Sequence, residues 1–421
     1  MIESGDNSLS EYLRSFTFQE HDNPLLFPDE RISTKIEYFN NDNMNIPKYI
    51  NEFWTFKQRK ASSIHEISYR ACFKPQLPRF FIDLLSNQND VIFDPFSGRG
   101  TTMIEAGLLN RNIISNDINP ISKILSKPRF FIPSIKEVEE RLHSIDLRNE
   151  NRADIDLSMF YHKDTESEIV SLKGYLLERR EEGTEDTIDD WIRMIATNRL
   201  TGHSSGFFSV YTLPPNQAVS QESQIKINKK RDQKPLYRDV KKIIIKKTRS
   251  TLRNISTNDR QNLRSAGEKA LFTEHDARNI PEIGDETVDL SVTSPPFLNI
   301  VQYSKDNWLR CWFNSINSED IDKKITMSSN VDRWSTVMAD VFEEYFRIIK
   351  PKGWIAFEVG EVKRKKILLD EYIVPLGIKA GFECKGILIN EQEFTKTSNI
   401  WGINNNHSGT NTNRIVIFQK L

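Results

Sequence analysis

The chain has 421 residues, with 58 Lys and Arg against 59 Asp and Glu, so its formal charge is −1 and any nucleic-acid surface has to be local. Hydrophobic residues make up 38%, enough to fill two to four folding units of about 100–200 residues each, yet no stretch reaches the roughly 18 uninterrupted apolar residues of a membrane span. Cys72, Cys311 and Cys384 stand far apart without a C-x-x-C pair, and the seven histidines lack ligand spacing, which argues against a disulfide framework and leaves no metal expected.

Residues 1–60 are rich in Asn, Asp and Pro and have weak periodicity, so they read as an irregular arm leading into an ordered element near Trp54. The first residues carry Glu3, Asp6 and Glu11 without an apolar core, so no secretory signal is expected and the expected compartment is the cytoplasm. Residues 61–126 read as compact α/β: Val91-Ile92-Phe93 suits a strand buried on both faces, Thr101 opens a helix, and Ile113-Ile114 supplies the next strand. Residues 127–267 change character. Ser134-Ile-Lys-Glu137 is a capping-box signature, residues 136–190 hold 17 acidic against 8 basic side chains, and residues 226–253 hold 12 basic against 2 acidic. From 268 to 421 the α/β pattern resumes, with strands expected at Ala270–Thr273, Val288–Val292 and Trp354–Val359. A helical face runs through Val337, Val341 and Tyr345, and a final antiparallel pair is expected from Gly386–Ile389 and Ile415–Phe418.

Two constellations carry chemistry. Asp94-Pro-Phe96-Ser-Gly98-Arg-Gly100-Thr101 sits between a strand end and a helix start, the ligand edge of a doubly wound sheet. Bare glycine backbone admits a ligand, and Asp94 can face a cationic group. The Lys of a phosphate loop is missing, and Met103 stands where the dinucleotide fingerprint needs Gly or Ala. Asp117, at the end of the second strand, can accept both hydroxyls of a ribose. A ribose joined to a cationic, phosphate-free tail is S-adenosylmethionine. The second constellation is Thr293-Ser294-Pro295-Pro296-Phe297, also at a strand end. Its prolines stiffen a loop whose carbonyls stay free to accept hydrogens from an exocyclic amine, while Phe297 can stack on an extruded base.

Together these motifs resemble the DNA amino-methyltransferases, with D-P-F-x-G-x-G-T for the cofactor and S-P-P-[YF] for the target amine; the S-P-P form is typical of enzymes that make N4-methylcytosine. The resemblance covers residues 61–126 and 268–421. It implies a Rossmann-like methyltransferase sheet, interrupted by a large helical and irregular insertion, that binds S-adenosylmethionine and double-stranded DNA and methylates a flipped cytosine. A restriction-modification setting with a separate cognate endonuclease follows from it. Residue by residue, it assigns Asp94, Phe96, Gly98, Gly100, Thr101 and Asp117 to the cofactor, Asp276 to its adenine, and Tyr69 and Phe73 to its methionine end. Ser294, Pro295, Pro296 and Phe297 become the catalytic loop. The insertion precedes Asp276 rather than following the catalytic strand, and its position and charge make it the expected target-recognition region, with Lys229, Lys230, Arg231, Lys241, Lys242, Lys246, Lys247 and Arg249 as DNA contacts. N6-adenine methylation, RNA amino-methylation and a non-catalytic DNA-binding role stay open as alternatives. C5-cytosine chemistry needs a Pro-Cys nucleophile, and the cysteines here follow Ala71, Arg310 and Glu383.

Overall fold

The structure, a computed structural model, describes residues 6–17, 33–41, 44–54, 61–70, 72–147, 150–212, 218–296, 303–324, 330–362, 367–391 and 412–421. In chain order its strands are β1 (Lys35–Asn41), β2 (Met44–Asn51), β3 (Val91–Asp94), β4 (Asn112–Asn116), β5 (Leu271–Thr273), β6 (Val288–Thr293), β7 (Ile349–Val359), β8 (Glu361–Val362), β9 (Ile367–Leu368), β10 (Phe382–Glu391) and β11 (Thr412–Lys420). Nine of them form one sheet in the order β1-β2-β10-β11-β7-β6-β3-β4-β5, and β8 pairs with β9 in a small ribbon.

From β5 to β7 neighbouring strands run parallel, while β11 is antiparallel to both β7 and β10. β3 lies between β4 and β6, so successive crossovers leave it in opposite directions. In an open α/β sheet this switch point opens a crevice at the carboxyl ends of the strands. The central strands are apolar on both faces because both faces are covered. Ile92, Ile113, Leu290, Val292, Ala356 and Ile417 belong to one apolar cluster, and their alternates Phe93, Ile114, Phe357, Val416 and Phe418 belong to the other, joined by Val288, which the register shift between Val288 and Leu290 turns to that face. Helices Gln76–Leu85 and Thr101–Leu108 contribute to the first cluster, and Val331–Ile348 and Leu369–Lys379 to the second.

Two expectations are corrected. The amino-terminal segment is not irregular throughout: helix Asp6–Ser15 precedes the β1–β2 hairpin, and β2 adds to the sheet parallel to β10. Strand β1 exposes most of its residues, so the apolar alternation that would reveal it is absent. The inserted region also shares a core with the sheet. Its helices Ile135–Ser144, Lys163–Glu181, Thr187–Arg199 and Val240–Leu252 place Val138, Leu172, Trp191 and Ile244 in the same cluster as Ile92. The last helix, Thr257–Glu268, packs on Thr101–Leu108, where a Cβ on Gly107 would meet Leu263 at 3.0 Å. That helix therefore packs against the helix that follows the glycine loop. The Ser134 capping box forms as expected. No helix among the described residues is long and apolar enough to cross a membrane.

Candidate active site

The two motif loops meet at the switch point. Asp94 closes β3 and Thr293 closes β6, and the Thr293 hydroxyl donates to Asp94 Oδ1 at 2.6 Å across the seam. The same oxygen accepts the Phe96 amide at 3.1 Å. Asp94 is buried, and the charged group acting on it is a second carboxylate, Asp117; burial pushes its pKa up to about 7. Asp117 Oδ2 accepts the Gly98 amide at 2.8 Å and Oδ1 the Asn119 amide at 2.9 Å, and burial raises its pKa to about 6. These acids hold one turn of backbone, Ser97 to Gly100, against the helix that follows.

The two glycines have different duties. Gly98 has φ +51° and lines the cleft with its open Cα; Gly100 has φ +72°, caps helix Thr101–Leu108, and a Cβ there would sit 2.6 Å from Ser126 Cβ. Gly100 thus shapes the loop from behind rather than admitting a ligand. Arg99, between them, donates to the carbonyls of Ile67 at 3.0 Å and Phe73 at 3.3 Å, tying the loop to the segment that carries Tyr69. The Tyr69 hydroxyl accepts from Asn119 Nδ2 at 3.3 Å. Neither Arg99 nor Asn119 stands out in the sequence as a cofactor-site organiser, because their partners come from distant parts of the chain.

The resulting cleft encloses about 1170 Å³, its open mouth included. Tyr69, Phe73, Asp94, Phe96, Gly98, Thr101, Asp117 and Asp276 line it, and so do Ser294, Pro295 and Pro296. Asp276 is clasped by its neighbour: Arg278 donates Nε to Oδ1 at 2.9 Å and Nη2 to Oδ2 at 2.7 Å. Phe297 lies outside the described residues, as do Leu213-Pro214-Pro215, Lys57 and Arg59. Trp334, not anticipated, lines the cleft from helix Val331–Ile348 and donates Nε1 to the Pro296 carbonyl at 3.0 Å. Trp308 and Trp312, on helix Tyr303–Phe313, do not line the cleft; they donate Nε1 to the Val219 carbonyl at 3.2 Å and to Asp154 at 2.7 Å.

The basic stretch needs a larger correction. Lys247 has 10% of its side chain exposed and faces Glu66 at 3.6 Å, and burial lowers its pKa to about 8. Lys241 donates to the Ile145 carbonyl at 2.5 Å, Arg249 pairs with Glu139 at 2.5 Å, and the Arg231 guanidinium lies 3.8 Å over the Tyr211 ring. The acidic and basic runs therefore meet at the Arg249–Glu139 pair. Lys229, Lys230, Lys242 and Lys246 remain exposed.

Buried carboxylates with no counter-cation among the described residues, beside bare glycine backbone, fit a cationic nucleoside and not a phosphate. The strand order is that of a Rossmann-like methyltransferase fold, and S-adenosylmethionine suits the cleft. Residues 10–126 match the family model described as DNA methylase, of the N6/N4 type. The chain is 26% identical over 304 residues to the type II methyltransferase M.BsoBI of Geobacillus stearothermophilus, covering 63% of this chain and 56% of that protein. It is 24% identical over 293 residues to M.MvaI of Kocuria varians, covering 64% and 60% respectively. Each alignment thus spans less than two thirds of the relative's own length. Over these parts the chain is similar to amino-methyltransferases of DNA. Solved structures with a likeness include a Thermus thermophilus protein, described as a DNA modification methylase and complexed with S-adenosylmethionine (22% identity, 34% of this chain, 53% of that one, TM-score 0.22). Another is an S-adenosylmethionine-dependent methyltransferase from Methanosarcina mazei (11% identity, 81% and 97%, TM-score 0.32). Scores that low leave the fold assignment resting on the strand order itself.

Proposed function

We propose that the protein transfers the methyl group of S-adenosylmethionine to an exocyclic amine of double-stranded DNA, specifically the N4 amine of a cytosine turned out of the helix, as the modification half of a restriction-modification pair. The observation that carries this reading is the seam: Thr293, directly before Ser294, hydrogen-bonds Asp94, so the amine-accepting loop and the cofactor carboxylate open into one cleft. When bound, the cofactor supplies an activated methyl group. Asp94 would face its cationic end, Asp117 its ribose and Asp276 its adenine, with Tyr69 and Phe73 closing over the methionine end.

An exocyclic amine is a poor nucleophile because its lone pair is delocalised into the ring. Acceptors placed on its hydrogens favour a pyramidal nitrogen, a geometry realised in the transition state. Trp334 occupies the Pro296 carbonyl, which leaves the Ser294 hydroxyl and the Pro295 carbonyl for this task, with Phe297 for the ring. The S-P-P form supports cytosine over adenine. Ser294→Ala should lower the single-turnover methylation rate at least about fivefold, the equivalent of ~1 kcal/mol, while calorimetric affinity for the cofactor stays unchanged. A rate within about threefold of the wild type would contradict hydrogen bonding by Ser294 in the transition state.

A further inference from the structure

The turn between helices Gln221–Arg231 and Val240–Leu252 holds apolar side chains out in water. Leu236 is 73% exposed and its neighbour Tyr237 50%. Single exposed apolar residues are common on any protein surface and by themselves mean nothing. This turn differs in being braced on both sides and in standing among cations.

The bracing can be followed bond by bond. Asp232 ends the first helix at φ +47°, its amide reaching back to the Asn228 and Lys229 carbonyls. Gln233 Nε2 donates to the Tyr211 carbonyl at 2.9 Å and to Asn228 Oδ1 at 2.8 Å. On the far side the Tyr237 hydroxyl donates to Glu168 Oε1 at 2.7 Å, and the Arg238 amide to the Thr165 hydroxyl at 2.7 Å. Lys234, Pro235 and Leu236 form the apex between these anchors, and the ring of Pro235 fixes its own φ.

A second loop stands beside the turn. Arg238 Nη1 donates to the carbonyls of Ser204 at 2.8 Å and Phe207 at 2.7 Å. In that loop His203, Ser204 and Ser205 are exposed, while Phe207 is buried with the Arg199 guanidinium 3.9 Å over its ring. Residues 226–234 hold five basic side chains against one acidic, Asp232, and Lys229, Lys230 and Lys234 are exposed. A nucleic-acid groove asks for this mixture: cations for phosphates, donors and acceptors for base edges, and apolar contact for thymine methyls. A protein–protein interface is by contrast depleted of lysine. The surface is also close to the cleft. Asn198 donates Nδ2 to the Ser68 carbonyl at 3.1 Å, beside Tyr69 of the cleft wall. His203 is five residues further along the chain, hence at most about 18 Å away, the length of about five base steps.

We propose that the Lys234–Tyr237 turn and the His203–Ser205 loop form the surface that reads duplex DNA beside the target base. Leu236 enters the groove as the apolar contact, His203 and Ser205 bond base edges, and Lys229, Lys230 and Lys234 hold the flanking phosphates. The inference rests on duplex DNA being the substrate. It moves recognition away from helix Val240–Leu252, whose Lys247 and Arg249 face carboxylates.

The test has two readouts on the full chain. In the first, amplified, modification-free genomic DNA is methylated by the protein and sequenced for modified bases, which yields the recognition sequence. His203→Ala with Ser205→Ala should admit sites that depart from that sequence at a base pair, about tenfold more often than the wild type does. In the second, affinity for a duplex carrying the recognition sequence is measured against salt. Leu236→Ala should bind about tenfold more weakly at every salt concentration with the slope unchanged, because an apolar contact releases no counterions. Lys234→Gln should instead flatten the slope by about 0.9. These side chains are exposed, so thermal midpoints should match the wild type's. Unchanged sites in the first variant, or wild-type affinity in Leu236→Ala, would each overturn the proposal; so would Leu236→Ala converting a dimer into a monomer while binding DNA normally, which would make the turn a contact between copies. If the wild type methylates nothing, the same titration on mixed-sequence plasmid fragments separates the two readings: weaker binding by Leu236→Ala keeps the surface while methyl transfer fails, and unchanged binding removes both.

Discussion

Asp94 and Asp117 are buried carboxyl groups whose hydrogen-bond partners are hydroxyl and amide groups, not cations. Their pKa values, about 7 and about 6, lie above those of an unfolded chain. Between the ordinary aspartate range and these values the folded protein therefore holds protons that the unfolded chain has released, and ligand-free stability falls as pH rises through that window. A cationic ligand prefers the ionised acids, so its affinity has the opposite slope. Calorimetric affinity for S-adenosylmethionine should tighten from about pH 5.5 to about pH 7.5 and then level off, whereas Asp94→Asn should bind weakly and flatten the upper part of the slope. A wild-type affinity independent of pH would contradict the pairing of these acids with the cofactor's charge. Both acids were legible in the sequence because each sits at a fixed offset from a strand end. Trp334 was not. Trp334 reaches the cleft through the packing of a helix, which a local pattern does not record.

Among the elements, strands with apolar runs were readable because burial on both faces leaves its mark in composition: β3, β4, β6, β7, β10 and β11 all lie where Val, Ile and Phe cluster. The β1–β2 hairpin was not. It joins the sheet at the edge and is secured by distant groups, such as Asn390 Oδ1, which accepts the Phe53 amide at 2.7 Å just beyond β2. Helix Val240–Leu252 shows why a run of charge is ambiguous. Its Lys247 holds Glu66, while Thr251 and the following Asn254 bind Ser63, so one face of this helix supports the segment leading to Tyr69. The preceding helix, Gln221–Arg231, ends in exposed Lys229 and Lys230. If these two contact phosphates, Lys229→Gln with Lys230→Gln should flatten the slope of log affinity for duplex DNA against log salt by about 1.8, at about 0.9 per contact. Lys247→Gln should leave that slope unchanged and lower thermal stability instead. A slope unaltered by the first pair, or reduced by Lys247→Gln, would remove the distinction between the two helices.

For the molecule as a whole, one sheet edge gathers Asp94, Asp117 and the Ser294 loop, and the inserted helices share the apolar core beneath them. The architecture follows from a switch point that opens a crevice and from two covered faces that hold the strand ends in place. What the sheet does not dictate is the base that enters, a choice that falls to the S-P-P loop and the surface around it. The most direct test is nucleoside mass spectrometry of duplex DNA incubated with the protein and methyl-labelled S-adenosylmethionine. The account predicts label in N4-methylcytosine, strongly reduced in Ser294→Ala. Label in N6-methyladenine would contradict the choice of base, and no label in any nucleoside would contradict DNA methylation altogether.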